Sequence, residues 1–156
     1  MSAFTDGFEN KLVDFLVRGQ ALGLANSTAG AGTGPANWFF GLLTALPTDS
    51  TAGTEVTGGS YARVSVASAL ANWAGTQGAG TTTASTGTTG TTSNNGVVTF
   101  PAPTANWGTI TGMGLYDSVS GGLLCVYTAL TASKTVNSGD AAPTFPISAF
   151  TCQVDN

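Results

Sequence analysis

Short apolar segments separated by turn-forming residues constrain the fold of this chain more than any other feature of its sequence. Two of them are "WFFGLLTAL" over 38–46 and "GLLCVYTAL" over 122–130, and such segments are bounded by Gly, Pro, Asn or Asp. Apolar runs of this length between turn residues are typical of β-strands. About seven such segments, with turns at this spacing, predict a β-sandwich or a β-barrel.

Length and charge limit how this β body behaves. The chain has 156 residues, of which 42% are hydrophobic, so we expect one domain with a real core. Only 8% of the residues are charged, against about 25% in ordinary soluble domains. Because a weakly charged surface repels other chains poorly, we expect the protein to function in an assembly.

Residues 3–18 are predicted to form an N-terminal amphipathic helix that ends before Gly19. Apolar side chains recur along one face with the helical period, namely Phe4, Phe8, Leu12, Phe15 and Leu16. This face must be covered, either by the chain's own sheet or by a partner. If a partner covers it, the candidate contact residues are Phe4, Phe8, Leu12, Phe15 and Arg18.

Composition divides the rest of the chain into a linker and a β body. Residues 25–37 are rich in Gly, Ala and Ser and are predicted to form a flexible linker. Residues 38–156 are predicted to form the β-sandwich domain. Within it, the segment over about 75–95 is rich in Thr and Gly and has no large apolar residue, so it is expected to be a long surface loop or an edge hairpin.

The tripeptide "ANW" occurs three times and contains all three tryptophans. Its flanking sequences differ, which argues against a repeat fold and indicates three strand ends. A large aromatic side chain is usually part of the core. The core candidates are Trp38, Trp73, Trp107, Tyr116 and Tyr127. An alternative is that the three indole rings form a stacking platform for a carbohydrate.

The residues that carry most enzyme chemistry are missing or scattered. The chain has no histidine, and its eight acidic residues show no spacing that suggests a catalytic pair or a metal site. Cys125 and Cys152 lie in apolar runs and are expected to be buried thiols, although the sequence also allows a disulfide between them. We therefore expect no enzymatic activity, no cofactor and no bound metal.

Charge and hydropathy also exclude two classes of partner. The four basic residues are scattered, whereas binding to nucleic acid requires clustered Lys and Arg. No apolar stretch reaches the length of a membrane span, and the acidic amphipathic start does not resemble a signal peptide. We expect neither nucleic-acid nor membrane binding, and we expect the chain to stay in the cytoplasm where it is made until assembly.

A set of ordered sequence stretches resembles a family of small virion proteins of tailed bacteriophages. The stretches are "FENKLVDFLVRG" (8–19), "WFFGLLTALPTD" (38–49), "GTEVTGGSYARV" (53–64), "TFPAPTANWGTITGMGLYD" (99–117), "GGLLCVYTAL" (121–130) and "KTVNSGDAAPTF" (134–145). Members of that family are labelled tail fibre proteins or capsid decoration proteins.

The resemblance implies a jelly-roll-like sandwich located in the virion, with the capsid surface as the first expectation. There it would act as a decoration or cement protein that bridges neighbouring major capsid subunits. Its partners would be the major capsid protein, further copies of itself in a homodimer or homotrimer, and other head or tail proteins. A tail component, such as a fibre base, collar or adaptor, is the alternative, and a carbohydrate-binding module is a second alternative.

Overall fold

The structure is a computed structural model that describes residues 4–24, 34–48 and 50–154. It is mainly β, with one N-terminal helix and antiparallel strands, which confirms the predicted fold class. The jelly-roll connectivity stays a prediction. In chain order the elements are α1 (Asp6–Val17), β1 (Asn37–Ala45), β2 (Thr54–Glu55), β3 (Val64–Ala67), β4 (Thr91–Ser93), β5 (Val98–Thr99), β6 (Gly108–Tyr116), β7 (Leu124–Val136), β8 (Thr144–Phe145) and β9 (Thr151–Gln153).

The chain divides into two compact units. The helical unit comprises Met1–Ala36, Ala67–Val97 and Pro146–Asn156, and the sheet unit comprises Asn37–Val66 and Val98–Phe145. The predicted division into a helix over 3–18, a linker over 25–37 and a sandwich domain over 38–156 stays a prediction. Most of the predicted linker, 25–33, lies outside the described residues.

The sheet unit is built on an antiparallel sheet in the order β2-β1-β6-β7, with β3 also paired to β1. The two central strands, β1 and β6, contain its most buried side chains, including Phe40, Leu42 and Leu43, with no exposed surface, and Leu115, with 1%. β1 is a nearly continuous apolar run, and in β6 every residue from Gly112 to Tyr116 is buried, as expected for strands that are covered on both faces. The core of this unit therefore follows directly from the apolar segments in the sequence.

Two facing glycines allow an aromatic ring to lie against the central strands. Gly41 of β1 pairs with Gly114 of β6. A Cβ atom at Gly41 would lie 2.8 Å from the ring of Tyr116, and one at Gly114 would lie 3.1 Å from the same ring. Glycine is needed at this pair because the ring occupies the space that larger side chains would fill.

A second, two-stranded sheet in this unit joins β5 to β8. It is accompanied by a cluster of aromatic rings. Tyr61 stacks on Phe100 with 6.2 Å between ring centroids and meets Trp107 edge-on at 5.4 Å, while Phe100 meets Phe145 edge-on at 5.9 Å. Stacked and edge-on arrangements are the favoured geometries for aromatic pairs, so the cluster adds to the stability of this unit.

The helical unit contains α1 and the short sheet formed by β4 and β9. Thr5 precedes the helix in an extended conformation, and its carbonyl accepts hydrogen bonds from the backbone N–H groups of Phe8 and Glu9. Gly19 follows Arg18 with a φ of +69°, in the left-handed region. A glycine in that conformation is a common way to end a helix. The structure thus has a helix over Asp6–Val17, within the predicted range 3–18, and it ends before Gly19 as predicted.

Candidate functional site

Helix α1 does not bury the face that its apolar residues define. Its buried residues are Glu9, Val13, Asp14 and Val17, whereas Phe4 is 57% exposed and Leu16 is 39% exposed. Three further apolar residues of the predicted face are half-buried, namely Phe8, Leu12 and Phe15. We call the set Phe4, Phe8, Leu12, Phe15 and Leu16 the stripe face. That these residues contact a partner stays a prediction, but the structure leaves the face partly open.

Arg18 lies inside the helical unit, so its predicted role as a partner contact is wrong. Its side chain has no exposed surface and forms an ion pair with Asp14, with 2.7 Å between Nη1 and Oδ1. The residue follows Asp14 by one helical turn, which places the two side chains next to each other. A buried arginine needs such a partner, because an unpaired charge in the interior is very costly.

The guanidinium group of Arg18 also holds the Thr- and Gly-rich segment. It donates hydrogen bonds to the backbone carbonyls of Trp73 (2.9 Å) and Thr83 (2.5 Å) and to the hydroxyl of Ser85 (3.1 Å). A longer contact of 3.4 Å joins Nη2 to the carbonyl of Thr81. Its donors are thus all directed at oxygen atoms of this unit, as the fork geometry of arginine allows.

Asp14 binds the same segment from the other side of the ion pair. Its carboxylate accepts hydrogen bonds from the backbone N–H of Ser85 (2.8 Å) and from the Ser85 hydroxyl (2.6 Å). A segment without large apolar residues is therefore ordered by polar contacts rather than by a hydrophobic core. Sequence reasoning missed this cluster, although the four-residue spacing of Asp14 and Arg18 was a usable signal.

A second charged cluster, in the sheet unit, is formed by the stretch "GTEVTGGSYARV". Arg63 binds Glu55 through two parallel hydrogen bonds, of 2.7 Å to Oε1 and 2.6 Å to Oε2. Its guanidinium carbon lies 3.4 Å from the ring centroid of Tyr116. The hydroxyl of Tyr61 donates to Glu55 Oε1 (2.8 Å) and accepts from the backbone N–H of Leu42 (2.8 Å). We call Glu55, Tyr61, Arg63 and Tyr116 the arginine–tyrosine cluster.

The ionisation of these groups follows from burial and from the carboxylate at the centre of the cluster. Burial raises the pKa of the Tyr61 phenol, and the hydrogen bond to Glu55 raises it further. Burial and the nearby charge of Glu55 also raise the pKa of Tyr116. Burial alone would lower the pKa of the Arg63 guanidinium, but the hydrogen bond and charge of Glu55 outweigh this effect and raise it. The cluster therefore keeps two neutral phenols around one ion pair, which is a structural arrangement.

The arginine–tyrosine cluster also fixes the loop between β6 and β7. Arg63 Nη1 donates hydrogen bonds to the carbonyls of Ser118 (2.6 Å) and Gly121 (2.8 Å). Within the loop, the carboxylate of Asp117 accepts a hydrogen bond from the backbone N–H of Leu123 (2.7 Å). The hairpin tip is thus held from both ends, and it presents Val119 and Leu123 to solvent at 63% and 65% exposure.

The aromatic core candidates divide into four buried residues and one exposed residue. Trp38 and Trp107 are 5% exposed, Trp73 has no exposed surface, and Tyr116 is 6% exposed. The indole rings have no open face, so a tryptophan platform for a carbohydrate is wrong. The core position predicted for Tyr127 is also wrong, because this residue lies on the solvent-facing side of β7 and is 47% exposed.

The cysteines are free thiols, and their environments differ. Cys125 is exposed, which corrects its expected burial, and Cys152 is half-buried. Burial raises the pKa of the Cys152 thiol, while partial burial of the Sγ atom and the nearby charge of Asp117 raise the pKa of Cys125, although the residue as a whole is exposed. Among the described residues, no three His, Cys, Asp or Glu side chains are grouped so that they could hold a metal ion. No helix in this part of the chain has the length and apolar character needed to cross a membrane.

Comparison with known proteins gives one result that covers nearly the whole chain. The model of a family described as "Podophage GP4 fiber I protein gp80" matches residues 3–153. No curated protein matches the chain. The matched span contains both charged clusters, the stripe face and the hairpin tip. The protein therefore belongs to the podophage GP4 fiber I protein gp80 family, a family of small structural proteins of tailed-phage virions.

Proposed function

We propose that the protein is a structural component of the phage tail, built into or next to a fibre, where it joins neighbouring virion subunits. The description of its family, which names a fiber, supports this location. The stripe face is the observation that carries the proposal. It is an apolar helical surface that the protein's own core leaves partly exposed.

The reason for this exposure is that α1 is anchored through a different, mixed side, which carries Val13 and Val17 as well as Asp14. Asp14 and Arg18 form the buried ion pair of the helical unit, so the side of the helix that carries them must face inwards. Phe4 and Leu16 then point away from the buried side, and the edge-on contact of Phe4 with Phe8, at 5.1 Å, only partly covers the two rings. An amphipathic helix with open apolar residues favours docking in an apolar groove of another protein.

Capsid decoration is the second candidate, because the same features suit a protein that docks on a shell. Only 12 of the 156 residues are charged, which lowers the repulsion between copies that lie close together on a lattice. On a capsid, the stripe face would bind the major capsid protein, and the chain would bridge neighbouring subunits as a homodimer or homotrimer. In both candidates the role is mechanical, in the virion, and without catalysis or a cofactor.

Copy number and position in the particle separate the two candidates. In purified virions, a tail component is expected in a small number of copies, and antibody-bound gold particles should mark the tail. A decoration protein would be present at about one copy per major capsid subunit and would be labelled over the head. Absence of the protein from purified virions would contradict both candidates.

Substitutions on the stripe face test how the protein attaches. The double variant Phe4→Ser with Leu16→Ser is expected to incorporate into particles at least tenfold less, while its thermal unfolding stays close to that of the wild type. Ile147→Ser is the matched control, because Ile147 is also an exposed apolar residue, at 52%, of the helical unit outside the stripe face. Equal incorporation of the double variant and the control would show that the stripe face is not the attachment surface.

A further inference from the structure

The hairpin formed by β6 and β7 has an exposed apolar surface that the proposed function does not use. Its exposed side chains are Val119 (63%), Leu123 (65%) and Tyr127 (47%). They follow one another along the loop and the first part of β7, with Cys125 exposed between the last two. We call Val119, Leu123, Cys125 and Tyr127 the hairpin patch. It lies entirely within the sheet unit.

The loop part of the hairpin patch is held by side-chain hydrogen bonds to its backbone. Arg63 binds two carbonyls of the loop, those of Ser118 and Gly121, and Asp117 binds the backbone N–H of Leu123. Arg63 is itself fixed by its two hydrogen bonds to Glu55. A surface that is already ordered loses little conformational entropy when it binds, which favours association.

The edge of the sheet next to the patch is open over a short stretch. In the described part of the chain, β7 pairs only with β6, so its outer edge has no strand neighbour. Register shifts occur between Leu115 and Tyr116 and between Ile110 and Gly112 of β6, which confine the regular pairing of this half of β7 to Val126–Ala129. Bulges of this kind limit how far another strand can pair with an edge, so only the stretch 126–129 is available.

The opposite edge of the sheet differs both in the length of its strands and in its charge. There, β2 has two residues and β3 has four, and Glu55 and Arg63 place charges next to them. Short strands and charges are the usual protection of a sheet edge. The hairpin patch and the stretch 126–129 combine exposed apolar side chains with an open backbone edge and contain no charged side chain of their own, although Arg63 and Asp117 lie next to the loop.

Charge identifies the partner that this surface accepts. Residues 118–133 contain no charged side chain, and the charges that flank this stretch are of opposite sign, Asp117 at one end and Lys134 at the other. When two copies meet in antiparallel orientation, the acidic end of each copy comes next to the basic end of the other. A parallel arrangement would bring like charges together. The surface is therefore complementary to itself about a twofold axis.

We propose that the hairpin patch, together with the edge of residues 126–129, is the surface through which two copies of this chain form a twofold dimer. This inference rests on the proposed structural role, since it specifies the self-association that an assembling virion protein needs. The twofold axis runs perpendicular to the sheet, so Tyr127 of one copy faces the same side of the sheet as Tyr127 of the other. A like charge placed at this residue would therefore be repeated close to the axis.

The oligomeric state of the purified full-length protein tests the proposal. At micromolar concentrations, sedimentation should give twice the chain mass of 15.5 kDa. Leu123→Lys and Tyr127→Lys are each expected to weaken the dimer at least about tenfold, because like charges across an interface repel. Ile147→Lys adds the same charge at an exposed apolar residue of the other unit and should leave the dimer intact.

A cross-linking measurement keeps the proposal testable if one of the lysine variants fails to fold. Cys152→Ser leaves Cys125, which lies in the hairpin patch, as the single thiol. In this pairing the two Cys125 residues lie about five residues, or about 17 Å, apart along the strands. A bis-maleimide with a spacer of about that length should then join two chains covalently, and the yield should fall in the Leu123→Lys background. The proposal would be overturned if the wild type were a monomer or a trimer, or if folded lysine variants remained dimeric. It would also be overturned if Ile147→Lys weakened the dimer equally, or if Cys125 could be alkylated but gave no cross-link.

The same variants distinguish this inference from the proposed function. The stripe-face variant Phe4→Ser with Leu16→Ser should still form the dimer, because its substitutions lie outside the hairpin patch. A wild-type protein that is monomeric in solution but incorporates normally into virions would overturn the dimer surface alone. A normal dimer that is absent from virions would instead contradict the proposed function.

Discussion

Arg18 is the residue on which the helical unit depends most, because one guanidinium group joins the helix to a segment without large apolar side chains. Its partners include the carboxylate of Asp14 and the carbonyls of Trp73 and Thr83. Lysine keeps the charge but offers fewer donors and no planar fork. Arg18→Lys is therefore expected to lower the free energy of unfolding by about 2–4 kcal/mol, since each buried carbonyl left unpaired costs about 1–3 kcal/mol.

Denaturant unfolding followed by circular dichroism measures this effect. The control is Lys11→Ala, which removes an exposed cation of the same helix that makes one hydrogen bond, to the carbonyl of Gly23. Surface substitutions of this kind usually change stability by no more than about 0.5 kcal/mol. If Arg18→Lys were as stable as Lys11→Ala, the hydrogen-bond network of Arg18 would not be what orders the segment.

Gly41 tests the close packing of the arginine–tyrosine cluster against β1. A Cβ atom at this position would lie 2.8 Å from both Glu55 Oε1 and the ring of Tyr116. Gly41→Ala is expected to destabilise the protein by about 1–3 kcal/mol, the usual cost of overpacking. Gly7→Ala is the matched control, because no atom lies within 4 Å of a Cβ there and the residue is helical. Alanine at Gly7 should be neutral or stabilise by up to about 1 kcal/mol, and a loss of stability in both variants would contradict the packing argument.

At the scale of elements, the sequence predicts the strands better than it predicts the orientation of the helix. The central strand β1 is a long apolar run whose burial requires no knowledge of its neighbours, and β6 is a shorter pattern of apolar residues and glycines. The helix is different, because its apolar stripe and its Asp14–Arg18 pair compete for the interior. The stripe predicts that its own apolar side is buried, but the buried side is a mixed one, which carries Val13 and Val17 together with the Asp14–Arg18 pair.

The segment over 75–95 shows why part of the candidate site could not be predicted. Its Thr, Ser and Gly residues have no periodicity that reports a buried arrangement. Their order comes from side-chain hydrogen bonds within the segment, such as that from the backbone N–H of Gly75 to the Thr81 hydroxyl, and from bonds to the distant helix α1, such as that from the Ser85 hydroxyl to Asp14. Contacts over such separations leave no local pattern in a sequence. The stretch "GTEVTGGSYARV" was similarly distinctive as a motif, but its charge pairing became clear only with the fold.

The hydroxyl of Tyr61, which connects β1 to β2, gives a prediction about the stability of the protein at alkaline pH. The Tyr61 hydroxyl joins Leu42 of β1 to Glu55 of β2, and its pKa in the folded protein lies above the ordinary tyrosine value of 10.0. The folded state therefore keeps a proton that the unfolded state loses, so stability is complete below about pH 10 and falls above it. The loss is at most about 1.4 kcal/mol per pH unit for one such group.

Urea unfolding between pH 8 and about 11 measures this slope, near and above the ordinary tyrosine pKa. Tyr61→Phe should be less stable at pH 8, because the backbone N–H of Leu42 and the carboxylate of Glu55 lose a partner. Its stability should also fall less steeply above pH 10, since one of the groups that releases a proton on unfolding is gone. An unchanged slope in Tyr61→Phe would show that other groups, such as Tyr116, control the alkaline loss.

At the scale of the whole molecule, the distribution of charge controls how copies behave towards one another. The chain has eight acidic residues, four basic residues and no histidine, which gives a net charge of −4 at pH 7. Without histidine, no side chain with an ordinary pKa titrates between about pH 6 and 8, so the net charge is nearly constant there. The low fraction of charged residues, 8%, is the reason why composition alone predicts a protein that functions in an assembly, whereas the surfaces proposed for it depend on the structure.

Near the isoelectric point, the remaining repulsion between copies disappears. The sequence gives a pI of about 4.2, where the carboxylates are partly protonated and balance the four basic residues. Light scattering of the purified protein should therefore stay flat from about pH 8 to pH 6 and rise sharply as the pH approaches 4.2. We expect association through exposed apolar residues to cause this rise. The double variant Leu123→Lys with Phe4→Ser should therefore scatter less than the wild type when each protein is measured at the same number of pH units from its own isoelectric point. If the double variant scattered as strongly as the wild type, exposed apolar surfaces would not drive association of the neutral protein.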